Sequence, residues 1–325
     1  MLGEVDLTRT ASAQQALNDV ASEDLAVVER HARKPTNRHG RVANPPKGRS
    51  GPALAQQTYS MYLQTYGMYV TKGGLTAMSS AIKAIEVGRK DVLALCANMP
   101  DALWAQESGC PGWSVQDLVS HMACSFWLAV DSTKLPDPGG MPAERAADLY
   151  VASRRSMTPE EVVADYESVS LRGLELLAAV EGQDFEIPLG DVGTYPASLL
   201  PTAFAFEIFV HVRYDLFKPN GPLTAEPPPC DELRLAPTLD WIEAALPQQN
   251  ASLIEGIADT VEINLDGLCA RKLRIGNGAD VAVQITSDSL AAVWWVTQRG
   301  TWDELAVKAE GDPSALEAVR KFSVF

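Results

Sequence analysis

Four histidines occur in the 325-residue chain: His31, His39, His121 and His211. The first two lie in a basic, turn-rich stretch, which leaves His121 and His211 as the imidazoles of the folded body. Glu207 stands four residues before His211, and in a helix that spacing puts both side chains on one face. A carboxylate and an imidazole on one helix, joined by a second imidazole from a neighbouring helix, can form a three-ligand divalent-metal site. Such a site keeps positions open for water or substrate, and helical bundles build metal sites from inward-facing side chains in this way. The same residues also have a plainer reading. An E-x-x-x-H pair arises often by chance, and a histidine on an apolar face is more often a hydrogen-bonded core residue. Spacing alone leaves both readings open. No HExxH, GxSxG, Walker A or GxGxxG motif offers another route to function.

Other residues with chemical potential have simpler explanations. Trp104 and Trp113 flank the loop before His121 and suit packing better than the wall of a pocket. Cys110 and Cys124 lie near His121 in sequence but, as isolated thiols on partly apolar segments, read as structural rather than nucleophilic. The pair Trp294-Trp295 reads as an anchor of a helix against a sheet, and Glu160-Glu161 as a solvated face.

The elements that must position the histidines follow from periodicity. From Ser79 to Met99, residues Ile82, Ile85, Val92, Leu93 and Cys96 recur at helical intervals. Ser114 is a good N-cap with Asp117 three residues on, and Leu118, His121, Met122 and Phe126 then follow along one side. Thr158 caps a later helix that has Pro159 at its first position and Glu160 and Glu161 in its first turn. A further helix spans about residues 196–217 and is stopped by Lys218-Pro219-Asn220-Gly221-Pro222. After Pro227–Pro229 and one more helix, the period becomes two. Val261, Ile263 and Leu265 alternate, then Leu273 and Ile275, then Val281, Val283 and Ile285, with short helices at 289–297 and 313–321. This predicts an α+β chain: a helical domain over 78–222, then a small α+β domain with an antiparallel sheet over 223–325. Residues 1–77 read as a disordered extension, or as sequence ahead of a true start at Met78.

Bulk properties exclude several functions. The net charge is −15, and seven Lys and Arg with no Asp or Glu are concentrated between Arg30 and Arg49, so the rest is more acidic still. An acidic body argues against nucleic-acid and membrane-surface partners, because phosphate contacts need clustered cations. The five cysteines form no CxxC, which argues against a zinc knot or a secreted disulfide framework. With no signal-like N-terminus and no long apolar run, the cytoplasm is the default compartment.

Two stretches carry a resemblance. SGCPGWSVQDLVSHMA resembles the signature that opens the second bundle helix in the mycothiol-dependent maleylpyruvate isomerase family, part of the DinB-like metal-binding superfamily. FEIFVHVRYDL is similar to the E-x-x-x-H element of that family. The resemblance implies a DinB-like four-helix bundle followed by an SCP2-like α+β domain, with His121, Glu207 and His211 as ligands of a divalent metal, usually zinc. It also implies mycothiol, the low-molecular-weight thiol of actinobacteria, as cofactor. The implied chemistry is addition of the thiolate to an electron-poor double bond, rotation, and expulsion of the thiolate to give the trans isomer. Asp215 lies one residue farther from its histidine than in many members, which implies an outer-sphere partner rather than a ligand. SDSLAAVWWVTQRGTWDEL is similar to a C-terminal element that supplies an arginine. That residue matches Arg299, a candidate for a substrate carboxylate, with Gln298 where the family has glycine. Two other outcomes stay open: a mycothiol S-transferase that conjugates electrophiles, and a non-catalytic metal-binding or regulatory module. The implied partners are a small thiol and an electrophilic substrate.

Overall fold

The computed structural model describes residues 78–325 and, before them, the backbone of two short strands, β1 (Met68–Thr71) and β2 (Gly74–Ala77). These pair antiparallel, with Met68 opposite Ala77, inside the stretch expected to be an extension. The remainder of that stretch, including the basic segment, lies outside the described residues.

Four helices share the first hydrophobic core: α1 (Ser80–Ala97), α3 (Val115–Asp131), α5 (Pro159–Val180) and α6 (Leu200–Val210). The short α2 (Asp101–Trp104) precedes α3, and α4 (Ala143–Arg154) packs on α3 from outside. Their starts are chemically specified. Ser79 Oγ accepts from the Ile82 amide, while Ser114/Asp117 and Thr158/Glu161 each form a complete capping box. The apolar stripe of α3 is buried as its periodicity predicts, with Val115, Leu118, Met122 and Phe126 all nearly inaccessible. Each such side chain contributes about 1.5–3 kcal/mol by leaving water. A small antiparallel pair, β3 (Glu186–Pro188) with β4 (Thr194–Pro196), leads into α6.

The helix expected over 196–217 divides. α6 ends at Val210, and His211–Leu216 continues it as a wider π-helical turn. Such turns accommodate one more residue than an α-helical turn and frequently mark functional sites.

The remaining chain builds a second core. α7 (Glu232–Gln249) and the short α8 (Ala251–Ile254) precede β5 (Thr260–Asp266), β6 (Arg271–Ile275) and β7 (Val281–Asp288). Then come α9 (Ser289–Val296), β8 (Lys308–Gly311) and α10 (Pro313–Val319). The sheet order is β6-β5-β7-β8, and here the expectation of an antiparallel sheet is corrected. β5 and β7 run parallel, with Ile263 opposite Ile285, while the other pairs are antiparallel. The turn after β6 does not close a hairpin. It passes the start of β5, where the Thr260 amide bonds to the Asp280 carbonyl, and it delivers β7 to the far side. Gly278 makes that passage possible, since a Cβ there would sit 2.4 Å from Asp259 Cα. Among the described residues, no helix is long and apolar enough to cross a membrane.

Candidate metal centre

His121 and Ser125 are one helical turn apart on α3, beside its buried stripe. Glu207 is the one charged residue of α6, whose other side chains are spent on packing. Phe204, Ala205 and Ile208 enter the first core, while Phe206, Phe209 and Val210 enter the second. A helix apolar nearly all round is buried on more than one side, and that fixes Glu207 against α3.

The three residues singled out from the sequence converge. His121 Nε2 lies 2.7 Å from Glu207 Oε1, and His211 Nε2 lies 3.7 Å from the same oxygen. One donor atom from each falls within 4.8 Å of the others, and the two imidazoles meet edge to face at 4.9 Å between centroids. Donors about 2.0–2.1 Å from a tetrahedral ion stand roughly 3.3 Å apart, so small shifts would seat one. Ser125 Oγ donates to Glu207 Oε1 at 2.8 Å and holds the carboxylate from the side. Trp113 covers the His121 ring at 4.7 Å, its indole N–H tied to Asp148. His121 Nδ1 is buried and lacks a protein partner among the described residues.

Behind His211 stands Asp215, fully buried, whose Oδ2 lies 2.7 Å from His211 Nδ1. A carboxylate at Nδ1 holds the tautomer that leaves the Nε2 lone pair for a metal. Asp215 lies four residues beyond His211, and the wide turn carries it around to meet that ring. Its backbone is held too, because the Gly109 amide donates to the Asp215 carbonyl at 2.7 Å. A Cβ on Gly109 would collide with Asp215 Cα and Oδ1, each 2.7 Å away. Arg299 Nε and Nη2 reach the two Asp215 oxygens at 2.8 and 2.6 Å, and Nη1 donates to the Thr297 carbonyl at 3.1 Å. All three guanidinium nitrogens of the candidate substrate-carboxylate residue therefore already have protein partners.

Ionisation follows from these contacts. Burial pushes the Glu207 carboxyl up, yet His121 and then His211 hold it well below the usual range. Burial pushes His211 down, but hydrogen bonds with Asp215, Cys110 and Glu207 carry it well above an ordinary imidazole. Burial likewise raises Asp215, and its bonds with His211 and Arg299 more than reverse this. Without an ion the cluster thus keeps a proton on an imidazole between two carboxylates, an environment that suits a cation.

Sequence reasoning missed two residues here. Ser125 was detectable as the residue one turn after His121. Cys110, given no site role, places Sγ 3.4 Å from Asp215 Oδ2 and 3.9 Å from His211 Nδ1. Cys110, His211 and Asp215 could themselves be considered a ligand set. Arg299 occupies both Asp215 oxygens with a positive charge, which makes the His121, Glu207 and His211 set the better fit. Of the other residues weighed, Cys124 is buried beside Tyr150 and Leu135, and Trp104 lies in the first core. Trp295 is in the second core as an anchor should be, whereas Trp294 stacks on Tyr214 of the wide turn at 5.2 Å.

Residues 86–217, which contain all three converging side chains, match the family model of the mycothiol maleylpyruvate isomerase N-terminal domain. Over this segment the chain is similar to the mycothiol maleylpyruvate isomerase family. Two solved structures are also similar: a mycothiol-dependent maleylpyruvate isomerase at 17% identity and a histidine-to-alanine mutant of one at 16%. Each has a TM-score of 0.44, and the match covers 71% of this chain and 92% of the other. No curated protein matches the chain. Gln298, which stands where the resemblance implies glycine, has φ 57°. That left-handed backbone favours glycine. Here the side chain compensates, its amide donating to the Phe322 carbonyl at 2.6 Å.

Proposed function

We propose that this protein is a divalent-metal-dependent enzyme that uses mycothiol as its thiol cofactor, with His121, Glu207 and His211 as ligands. The observation that carries the reading is the convergence of His121 Nε2, Glu207 Oε1 and His211 Nε2, with Asp215 fixing the far nitrogen of His211. Two neutral nitrogens and one carboxylate oxygen suit zinc and its neighbours, and three protein ligands are the number found in catalytic sites. A bound divalent cation would supply Lewis acidity, lowering the pKa of a thiol held beside it. The chain's own residues do the rest. Ser125 orients Glu207, Asp215 orients His211, and Trp113 shields the His121 ring from water.

On this reading residues 78–222 form the metal-binding DinB-like bundle, and residues 223–325 the SCP2-like part. The substrate is a small electrophile, and the reaction is either cis–trans isomerisation of a maleylpyruvate-like compound or stable transfer of the thiol. The engagement of Arg299 by Asp215 favours transfer, because conjugation needs no anchor for a substrate carboxylate.

The test is metal analysis of purified wild type beside His121→Ala and Glu207→Ala. We expect about one equivalent of a divalent ion in the wild type, as three-ligand sites hold, and loss in both variants. Mycothiol with candidate electrophiles then separates a thioether product from a trans isomer. Wild-type protein that stays metal-free after reconstitution would leave a non-catalytic module as the better account.

A further inference from the structure

We infer that Arg299 is a positioning residue of the metal centre, acting through Asp215 on His211, rather than a group that binds substrate. The inference rests on the metal reading above and assigns the C-terminal part of the chain a place in the site.

The geometry is that of a fork gripping a carboxylate. Arg299 Nε and Nη2 each take a different Asp215 oxygen, which fixes the plane of the carboxylate as well as its position. Asp215 Oδ2 is the atom that meets His211 Nδ1, so fixing that plane fixes the imidazole and the direction of Nε2. The third donor, Nη1, is taken by the Thr297 carbonyl of the same loop.

The surroundings are arranged to hold this relay. Arg299 follows α9 after Thr297 and Gln298, and its amide bonds back to the Trp294 carbonyl. Gln298 is held in a left-handed conformation by its side-chain bond to Phe322, and this turns the chain toward the wide turn. From the other side, Tyr214 stacks on Trp294, and its hydroxyl donates to the Leu290 carbonyl at 3.0 Å. The residue before Asp215 is therefore clamped to α9, the helix that launches Arg299. A group meant to greet a substrate carboxylate would not be expected to have every nitrogen matched to protein.

The test uses full-length protein, stripped of metal and titrated with zinc against a chromogenic chelator. Wild type is compared with Arg299→Lys, Arg299→Gln, Asp215→Asn and the Arg299→Gln/Asp215→Asn double variant. Removing an outer partner of a ligating histidine typically weakens metal binding about 10–100-fold, and we expect that loss in Arg299→Gln. Lysine keeps the charge but not the fork, so Arg299→Lys should recover part of the loss. Because Arg299 acts through Asp215, the double variant should bind zinc within about twofold of Asp215→Asn, the non-additivity of a shared path.

Wild-type zinc affinity in Arg299→Gln, or losses that multiply in the double variant, would overturn the inference. If Arg299→Gln does not fold, Arg299→Lys decides it: unchanged zinc affinity there overturns it, and weakened affinity with an unchanged circular dichroism spectrum supports it. A wild type that binds no divalent ion sinks the metal reading and the inference together. A wild type that binds zinc beside variants that bind equally well removes the inference alone.

Discussion

His211 lies between two carboxylates, Glu207 on one side of its ring and Asp215 on the other, and this makes the metal-free centre a proton site. Its folded pKa is raised well above 6.5. The stabilisation it provides is therefore complete below 6.5 and is lost as pH rises through the folded value. Asp215 has the opposite sign: its folded pKa is depressed, so its contribution is present above 3.8 and lost as pH falls through the folded value. Zinc-free protein should thus melt at steadily lower temperature as pH is raised from about 6.5. The zinc-loaded form should lack that slope, because the ion takes the place of the proton. Scanning fluorimetry across this range checks it, and a flat zinc-free profile would contradict the assignment.

At the scale of elements, the centre depends on a junction between a loop and a helix end. The wide turn at 211–216 brings Asp215 under His211, and the loop before α3 presses on that turn through Gly109. Both are short-range features with a long-range result. Substituting Gly109→Ala places a methyl group 2.7 Å from Asp215 Cα and Oδ1, where only backbone and a buried carboxylate can yield. Overpacking of this kind costs about 1–3 kcal/mol. A lowered melting temperature together with weaker zinc binding is expected, read by calorimetry and chelator competition. A substitution that lowers stability while leaving zinc affinity intact would mean that the loop supports the fold but not the centre.

Over the whole molecule, α6 is common property. One side of it completes the first core, and Phe206, Phe209, Val210 and Tyr214, in α6 and the turn that follows, are buried in the second. The helix α6 and the turn after it thus contribute side chains to both cores, ahead of the expected boundary near residue 222. A fragment of residues 78–222 would expose those four side chains, at about 1.5–3 kcal/mol for each large one returned to water. It would also lose Arg299, leaving the buried Asp215 carboxylate without its cation, and breaking such a pair costs about 3–5 kcal/mol. The fragment is expected to show no cooperative melting transition in calorimetry. A sharp transition with native zinc affinity would show that the helical part stands alone.

The sequence by itself determined whatever depends on backbone period and on neighbours within one turn. The helices of the first core, the capping residues Ser114 and Thr158, the strands β5 to β7, and the shared face of Glu207 and His211 are all of this kind. A period of 3.6 or 2 and an N-cap are written into consecutive residues. Tertiary structure alone decided the pairings between distant residues. Ser125 meets Glu207 from 82 residues away, and Arg299 meets Asp215 from 84. The parallel neighbour of β5 is likewise chosen by how a five-residue loop passes the start of that strand. An alternating strand presents the same face to either partner, and a guanidinium suits a protein carboxylate as well as a substrate's. Which partner is met depends on where the packed cores bring the chain, and no local pattern records that.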